Sequence, residues 1–180
     1  MTKWVFALFG FLLASQVHAA GSLSTYTSIG DKTCIIHDAS SLHKHPEIDF
    51  LKQECAGLGG YQVFVAGGDL RYPLHLVYNG QFIRLTSIGA FHQTGSKNIE
   101  WVYTREKDTV TYKALIHRIN YEDDGDPKTP DATILIVTKL DKEKTCPVAV
   151  VRASKNMNQQ ARAIAAKADG MLCIDPENLL

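Results

Sequence analysis

Tyr72-Pro73-Leu74-His75-Leu76-Val77-Tyr78-Asn79-Gly80-Gln81-Phe82-Ile83-Arg84 is the stretch that decides the fold. Two apolar runs of strand length meet at Asn79-Gly80, and a two-residue type I′ turn needs positive φ at both central positions, which Asn and Gly tolerate best. The stretch reads as a β-hairpin. Outward from it, between Tyr61 and Val151, the chain repeats short segments rich in Val, Ile, Tyr, Phe and Thr bounded by Gly, Asn, Asp or Pro. Strands are expected near 61–66, 72–78, 81–86, 99–104, 109–120, 132–140 and 147–152. Tyr61, Val63 and Val65 alternate, as do Ile99, Trp101 and Tyr103, and Val110, Tyr112, Ala114 and Ile116, so each strand offers one apolar face. Short turns between successive strands imply antiparallel pairing. Pro73 lacks an N–H, which implies an edge strand or a bulge there.

One helix follows the strands. Met157, Ala161, Ile164, Ala165, Ala168 and Leu172 recur at the spacing of a single helical face. Ser154 or Asn156 is suited to cap its start and Gly170 to end it. The segment 35–54 fits no period cleanly, although Pro46-Glu47 could open a short helix. The expected fold is therefore mainly antiparallel β (α+β), a curved sheet or sandwich of about seven strands carrying one C-terminal helix over a face or open edge.

Lys3, the apolar run Trp4–Ala14 and the A-x-A-like Val17-His18-Ala19 form a secretory leader, which makes 1–19 a signal peptide (cleaved) and 20–180 a single disulfide-stapled globular domain. The run is shorter than the roughly 20 apolar residues of a membrane span, and no cysteine adjoins the cleavage point to take a lipid anchor. The expected address is periplasmic or secreted. Without Lys3 the chain has 18 basic and 19 acidic residues, a net charge of −1, so the basic excess of a nucleic-acid binder is missing. Cys34, Cys55, Cys146 and Cys173 are even in number, as expected of disulfides in an oxidising compartment. Of three possible pairings, Cys34–Cys55 and Cys146–Cys173 each close a modest loop, worth about 3 kcal/mol through lost unfolded-chain entropy. A zinc site or redox dithiol would be expected to show C-x-x-C spacing, which the chain lacks.

Candidate chemistry is sparse. His37, His43 and His45, with Asp38, Glu47 and Asp49, are ligand types for zinc, copper or nickel, but Pro46 and the polar neighbours read as a loop, and no metal site is assigned. Glu122-Asp123-Asp124-Gly125-Asp126 offers hard oxygen ligands without EF-hand order, and reads as a strand connection. The chain contains no G-x-S-x-G, H-E-x-x-H, Walker or dinucleotide motif. Gly57-Leu58-Gly59-Gly60 precedes a strand rather than a helix, so it reads as a turn beside Cys55 and not as a phosphate cradle. His75 and His117, on strands, read as surface or core residues rather than general bases; Trp101, Tyr103 and Tyr112 read as core or sheet-face residues. Gly67-Gly68-Asp69-Leu70-Arg71 joins two strands, and Asp69 and Arg71 are the polar pair best placed for binding, with a local ion pair as the alternative role.

Cys55-Ala56-Gly57-Leu58-Gly59-Gly60-Tyr61, Gly68-Asp69-Leu70-Arg71, Asp126-Pro127, Cys146-Pro147-Val148-Ala149-Val150-Val151, Asn158 and Ala161-Arg162-Ala163-Ile164-Ala165 occur in an order that resembles a family of uncharacterised exported (periplasmic) proteins of Gram-negative bacteria. The resemblance spans most of the chain after the leader and implies a periplasmic address without an activity; His43-Lys44-His45 lies outside its pattern. The functional expectation is a non-enzymatic periplasmic binding or interaction module, such as an inhibitor or envelope accessory protein, that uses no cofactor. Its partner would be a protein or small-molecule ligand of the envelope, with neither nucleic acid nor a membrane anchor involved. The alternatives are a small secreted hydrolase and a metal-handling protein acting through the His37–His45 segment.

Overall fold

The computed structural model describes residues 22–40, 49–122 and 131–179. The leader, His43 and His45, and Asp123–Asp126 lie outside the described residues. The elements are β1 (Leu23–Ser28), β2 (Ile35–Ala39), β3 (Phe50–Cys55), β4 (Tyr61–Gly68), β5 (Leu74–Tyr78), β6 (Gln81–Arg84), β7 (His92–Thr94), β8 (Asn98–Glu106), β9 (Thr109–Tyr121), β10 (Ala132–Lys139), β11 (Cys146–Arg152) and α1 (Met157–Ala165). Strands β2 to β6 form an antiparallel meander. A second antiparallel sheet has the order β1-β8-β9-β10-β11, with β7 paired to β9 beside that path. Neither sheet is closed.

The expected mainly antiparallel class holds, but the strand number is eleven among the described residues rather than about seven. The additional strands are β1, β2, β3 and β7. Strand β1 is polar and pairs far along the chain with β8, so its register is fixed by a remote partner rather than by apolar alternation. Strand β2 is an edge with Ile35 and Ile36 exposed, and β7 has only three residues. Asn79 and Gly80 both adopt positive φ, +49° and +77°, as the hairpin reading requires. Strand β5 nevertheless sits between β4 and β6. Pro73 is accommodated because it precedes the first strand residue, where its carbonyl accepts from Ala66 N–H at 3.3 Å.

Val63, Val65, Leu74 and Leu76 of the five-stranded sheet pack with Ile99, Trp101 and Leu115 of the six-stranded one, so the principal core lies between the sheets. Trp101 is fully buried, and its Nε1–H donates to Thr27 Oγ1 at 2.8 Å. The single apolar face expected of β9 is corrected. Val102 pairs with Ala114 but Tyr103 with Tyr112, so Lys113 is an extra residue. That bulge re-aims the alternation: Tyr112 meets Trp101 edge-on at 6.0 Å, whereas Ala114 and Ile116 face α1. Met157, Ala161 and Ala165 of α1 cover the outer face of the six-stranded sheet over Val102, Leu135 and Val137. This second cover explains why β10 is buried on both faces.

The helix is shorter than its apolar spacing implies. It ends at Ala165, a 3-10 turn follows at Ala168–Gly170, and Leu172 is 88% exposed. Asn156 holds the N-cap position without a side-chain cap bond, and Gly170 closes the 3-10 turn rather than α1. Both expected disulfides are present, Cys34–Cys55 and Cys146–Cys173. The second ties the segment after the helix to β11, helped by Ile174 N–H donating to Pro147 O at 2.8 Å. The pair of bridges indicates an oxidising, extracytoplasmic compartment. No helix among the described residues is long and apolar enough to cross a membrane.

Candidate functional site

Asp69 and Arg71 occupy the β4–β5 connection, at the corner where the sheets meet. Asp69 and Leu70 adopt positive φ, and the Arg71 guanidinium bonds the Asp69 carboxylate. Arg71 Nε–H also donates to Gly89 O at 2.9 Å, and its guanidinium lies 4.6 Å from the centroid of Phe91. Tyr72 N–H donates to His92 O and His92 N–H to Leu70 O, both at 2.9 Å, stitching the corner to β7. The pair thus holds a turn and a junction between sheets: the Arg71 guanidinium is engaged on Nε and one terminal nitrogen, while the Asp69 carboxylate stands largely exposed.

The expected histidine cluster is only partly described. His37 Nε2 lies 2.9 Å from Glu54 Oε2 on the neighbouring strand, and no group of three or more metal-ligand side chains converges among the described residues. His75 and His117 are core residues. Burial pushes His117 down to about 3, with His75 adding to the effect; both its ring nitrogens lack partners. Burial likewise lowers His75 to about 4, against the opposing hydrogen bond to the Ala66 carbonyl. Both are neutral at pH 7, and neither touches a carboxylate that would make it a general base.

A cleft of about 610 Å³ opens where the β1–β2 turn (28–33) and the β7–β8 turn (95–97) approach each other over β3 and β4. The two turns are joined by Ile29 N–H donating to Lys97 O at 2.8 Å. Its apolar wall is formed by Ile29, Leu51, Val65 and Tyr72. Its most informative wall residue is Gln53, whose side chain points inward from β3 and is 2% exposed. Gln53 Nε2–H donates to Ile29 O at 3.1 Å, while Oε1 has no partner. The amide orientation is fixed by chemistry, because the Ile29 carbonyl can only accept. A buried acceptor without a donor costs about 1–3 kcal/mol, so Gln53 carries an unmet hydrogen-bond demand in the wall of the cleft.

The other polar groups are ordered by the same turns. Asn120 Oδ1 accepts from Thr133 Oγ1 at 2.9 Å, which fixes the side chain on the cleft wall it helps to line. Gly95 admits this arrangement because a Cβ there would overlap Asn120 Oδ1. The Tyr72 hydroxyl is pushed up to about 12 by burial and by its hydrogen bond to Asp49; it stays protonated and donates to that carboxylate. Asp31, Lys32 and Lys97 stand exposed at the mouth. A smaller depression of about 160 Å³ shares Tyr72, Gln93 and Asn120 as walls and carries Glu122 and Asp131 on its far side.

A separate depression beside α1 holds a partly buried ion pair. Glu100 accepts from Arg162 Nε–H at 2.7 Å and from Ser24 Oγ–H at 2.6 Å, and Arg162 also reaches Tyr26 Oη at 3.0 Å. Burial raises the Glu100 carboxyl, and the Arg162 and Ser24 bonds outweigh it, so the group is held below its ordinary value. This pair fastens α1 to β8 and β1 and is already satisfied.

Compared with protein-family models, curated proteins and solved structures, the chain matches none. The sequence reading placed binding at Asp69 and Arg71; the cleft instead gathers Gln53, Tyr72, Lys97 and Asn120, none of which it singled out. The available signal was Gln53, two residues before Cys55 and hence on the same face of an extended strand as that buried cysteine.

Proposed function

We propose that this protein is a non-enzymatic binding module of the bacterial periplasm, and that the cleft over β3 and β4 holds a small ligand. The observation that carries the reading is a cleft of about 610 Å³ that combines an apolar wall of Ile29, Leu51, Val65 and Tyr72 with the side-chain amides of Gln53 and Asn120, a volume within the ~300–1,000 Å³ of small-molecule sites. Amides, hydroxyls and an apolar wall supply orientation and contact. The titratable groups at the mouth stand on exposed turns and form no bonded acid–base pair among the described residues, which favours binding over the hydrolase alternative. The leader-like N-terminal sequence and the two disulfides support periplasmic residence.

The test is a ¹⁵N NMR titration of the full chain with a fragment library, reading the side-chain amides of Gln53 and Asn120. Binders that shift both signals together are expected. Binders that all map elsewhere, or a library without a single binder at these amides, would refute the reading, as would turnover of a hydrolase substrate panel.

A further inference from the structure

Leu23-Ser24-Thr25-Tyr26-Thr27-Ser28-Ile29 reads the same in both directions about Tyr26, apart from Leu and Ile at its ends. It forms β1 and the residue after it, and β1 is an edge strand. Edges that stay single are blunted by bulges, charge, proline, brevity or a covering segment, and the other edges among the described residues carry such devices. β2 shifts register between Ile36 and Asp38; β6 has four residues and carries Arg84; β7 has three residues and is bonded to Leu70 and Tyr72; β11 contains Pro147, whose carbonyl accepts from Ile174. β1 has none of them: it is uncharged, lacks Pro and Gly, and runs beside β8 without a register shift. Ile29 N–H donates to Lys97 O, so in the same register Leu23, Thr25 and Thr27 turn their backbone groups to β8. Ser24, Tyr26 and Ser28 turn theirs to the open edge.

We propose that β1 is a homodimerisation edge, occupied by β1 of a second copy running antiparallel across a two-fold axis at Tyr26. That axis sets Tyr26 opposite Tyr26 and Ser24 opposite Ser28, so every open position of one strand meets an open position of the other and each pair exchanges both backbone bonds. An axis placed elsewhere leaves an open position facing a residue outside the strand or one already bonded to β8. The palindrome matches the side chains as well: Thr25 meets Thr27 and the exposed Leu23 meets Ile29, with no charge facing a like charge. A foreign peptide would use the same backbone groups, but this match is between the strand and itself. Arg162 Nη2–H donates to the Tyr26 hydroxyl at 3.0 Å, which orients the ring next to the axis. The 29–34 connection leads to β2, the edge of the other sheet, and Leu23, Tyr26, Ile35 and Ile36 on these two edges are half of the large apolar side chains exposed among the described residues. The pairing consumes the edge, so assembly stops at the dimer.

The experiment is sedimentation equilibrium of the oxidised protein over the micromolar to millimolar range, with amide hydrogen exchange read by NMR. The expected result is a monomer–dimer equilibrium without larger species, and slower exchange at Tyr26 and Ser28 as the dimer fills. Tyr26→Phe should keep the dimer, since only the Arg162 bond is lost. Tyr26→Lys and Tyr26→Glu place like charges opposite each other and should each weaken association about a hundredfold, with melting curves showing a folded monomer. Mixing the two should restore a dimer that holds one chain of each, because position 26 meets itself. A protein that stays monomeric throughout the range, or that grows past the dimer, overturns the proposal. So does a dimer that both charged variants leave intact, or Tyr26 and Ser28 amides that exchange equally fast at all concentrations. A mixture of the charged variants that fails to pair while Tyr26→Phe dimerises overturns the register. If a charged variant fails to fold, amide exchange of the unsubstituted protein decides alone.

Discussion

Acid should destabilise this protein well above the pH at which its carboxylates protonate, because two histidines are buried in the neutral form. His117 is 1% exposed, with Leu115 and Ile119 on its own strand and Ile136 across from it. His75 is 7% exposed, packs its ring 4.7 Å from that of Phe82, and is opposite Arg84. Folding lowers the two from the ordinary 6.5 to about 3 and about 4. A lowered histidine pKa means that the unfolded chain binds more protons below pH 6.5. The contribution is therefore complete above that value and falls by about 1.4 kcal/mol per pH unit for each histidine until the folded pKa is reached. Between pH 7 and pH 5 each group costs about 2 kcal/mol, about 4 kcal/mol together, a large share of the ~5–15 kcal/mol of a typical domain. Glu100, whose pKa is lowered by folding, adds its loss only nearer the carboxylate range, so the window from pH 6.5 to 5 isolates the histidines. Urea unfolding of the oxidised protein at pH 7, 6 and 5 measures the slope. His117→Leu should halve it and leave stability at pH 7 equal or higher, since two buried nitrogens without partners disappear. Equal urea midpoints at pH 7 and 5, or a leucine variant retaining the full slope, would refute the reasoning.

Three further outcomes follow from the described contacts. Arg162→Ala should lower stability by about 2 kcal/mol, because it leaves the Glu100 carboxylate enclosed with only the Ser24 and Tyr26 hydroxyls and no countercharge, and Glu100→Gln should cost less; urea midpoints at pH 7 distinguish the two. Asp69→Ala should cost about 0–1 kcal/mol as the loss of an exposed pair, whereas Arg71→Ala also loses the Gly89 bond and the Phe91 contact and should cost more; identical melting curves for the two variants would contradict the assignment of Arg71 to the sheet corner. Reduction should cost about 3 kcal/mol per bridge for loops with sequence separations of 21 and 27, read as a drop in melting temperature with added reductant, and an unchanged melting temperature would contradict it.

The parts of the fold that were legible in the sequence are those whose contacts are local. The Asn79-Gly80 hairpin, the β8–β9 pair and the helix each announce themselves through neighbours in the chain. So do the disulfides, because each pairs the cysteine nearest along the chain. Strand β1 was hidden because Leu23-Ser24-Thr25-Tyr26-Thr27-Ser28 has no apolar alternation and owes its conformation to β8, more than 70 residues away. Leu172 misled for the complementary reason: its spacing continues the helical stripe, yet the chain leaves α1 after Ala165 so that Cys173 can reach Cys146.

The candidate site was hidden in a different way, within a strand whose pattern conflicts with itself. In Phe50-Leu51-Lys52-Gln53-Glu54-Cys55 the inward positions are Leu51, Gln53 and Cys55, and the middle one is an amide where an apolar side chain would be expected. The adjacent pair Phe50-Leu51 blurs the period of two, and Gln53 then removes the apolar residue that would have restored it. The anomaly that defeated the strand reading is therefore the same one that marks the cleft. A glutamine turned inward with its Oε1 buried and unpartnered opposes folding, a cost that the apolar packing around it offsets. The turns carrying Gly30, Gly95, Lys32 and Lys97 border the cleft above it, and the Ile29 carbonyl holds the Gln53 amide in the wall. Nothing in the linear spacing of residues 28–33, 53, 72, 93–97 and 120 shows that they meet; the two antiparallel sheets and the corner at Arg71 bring them together.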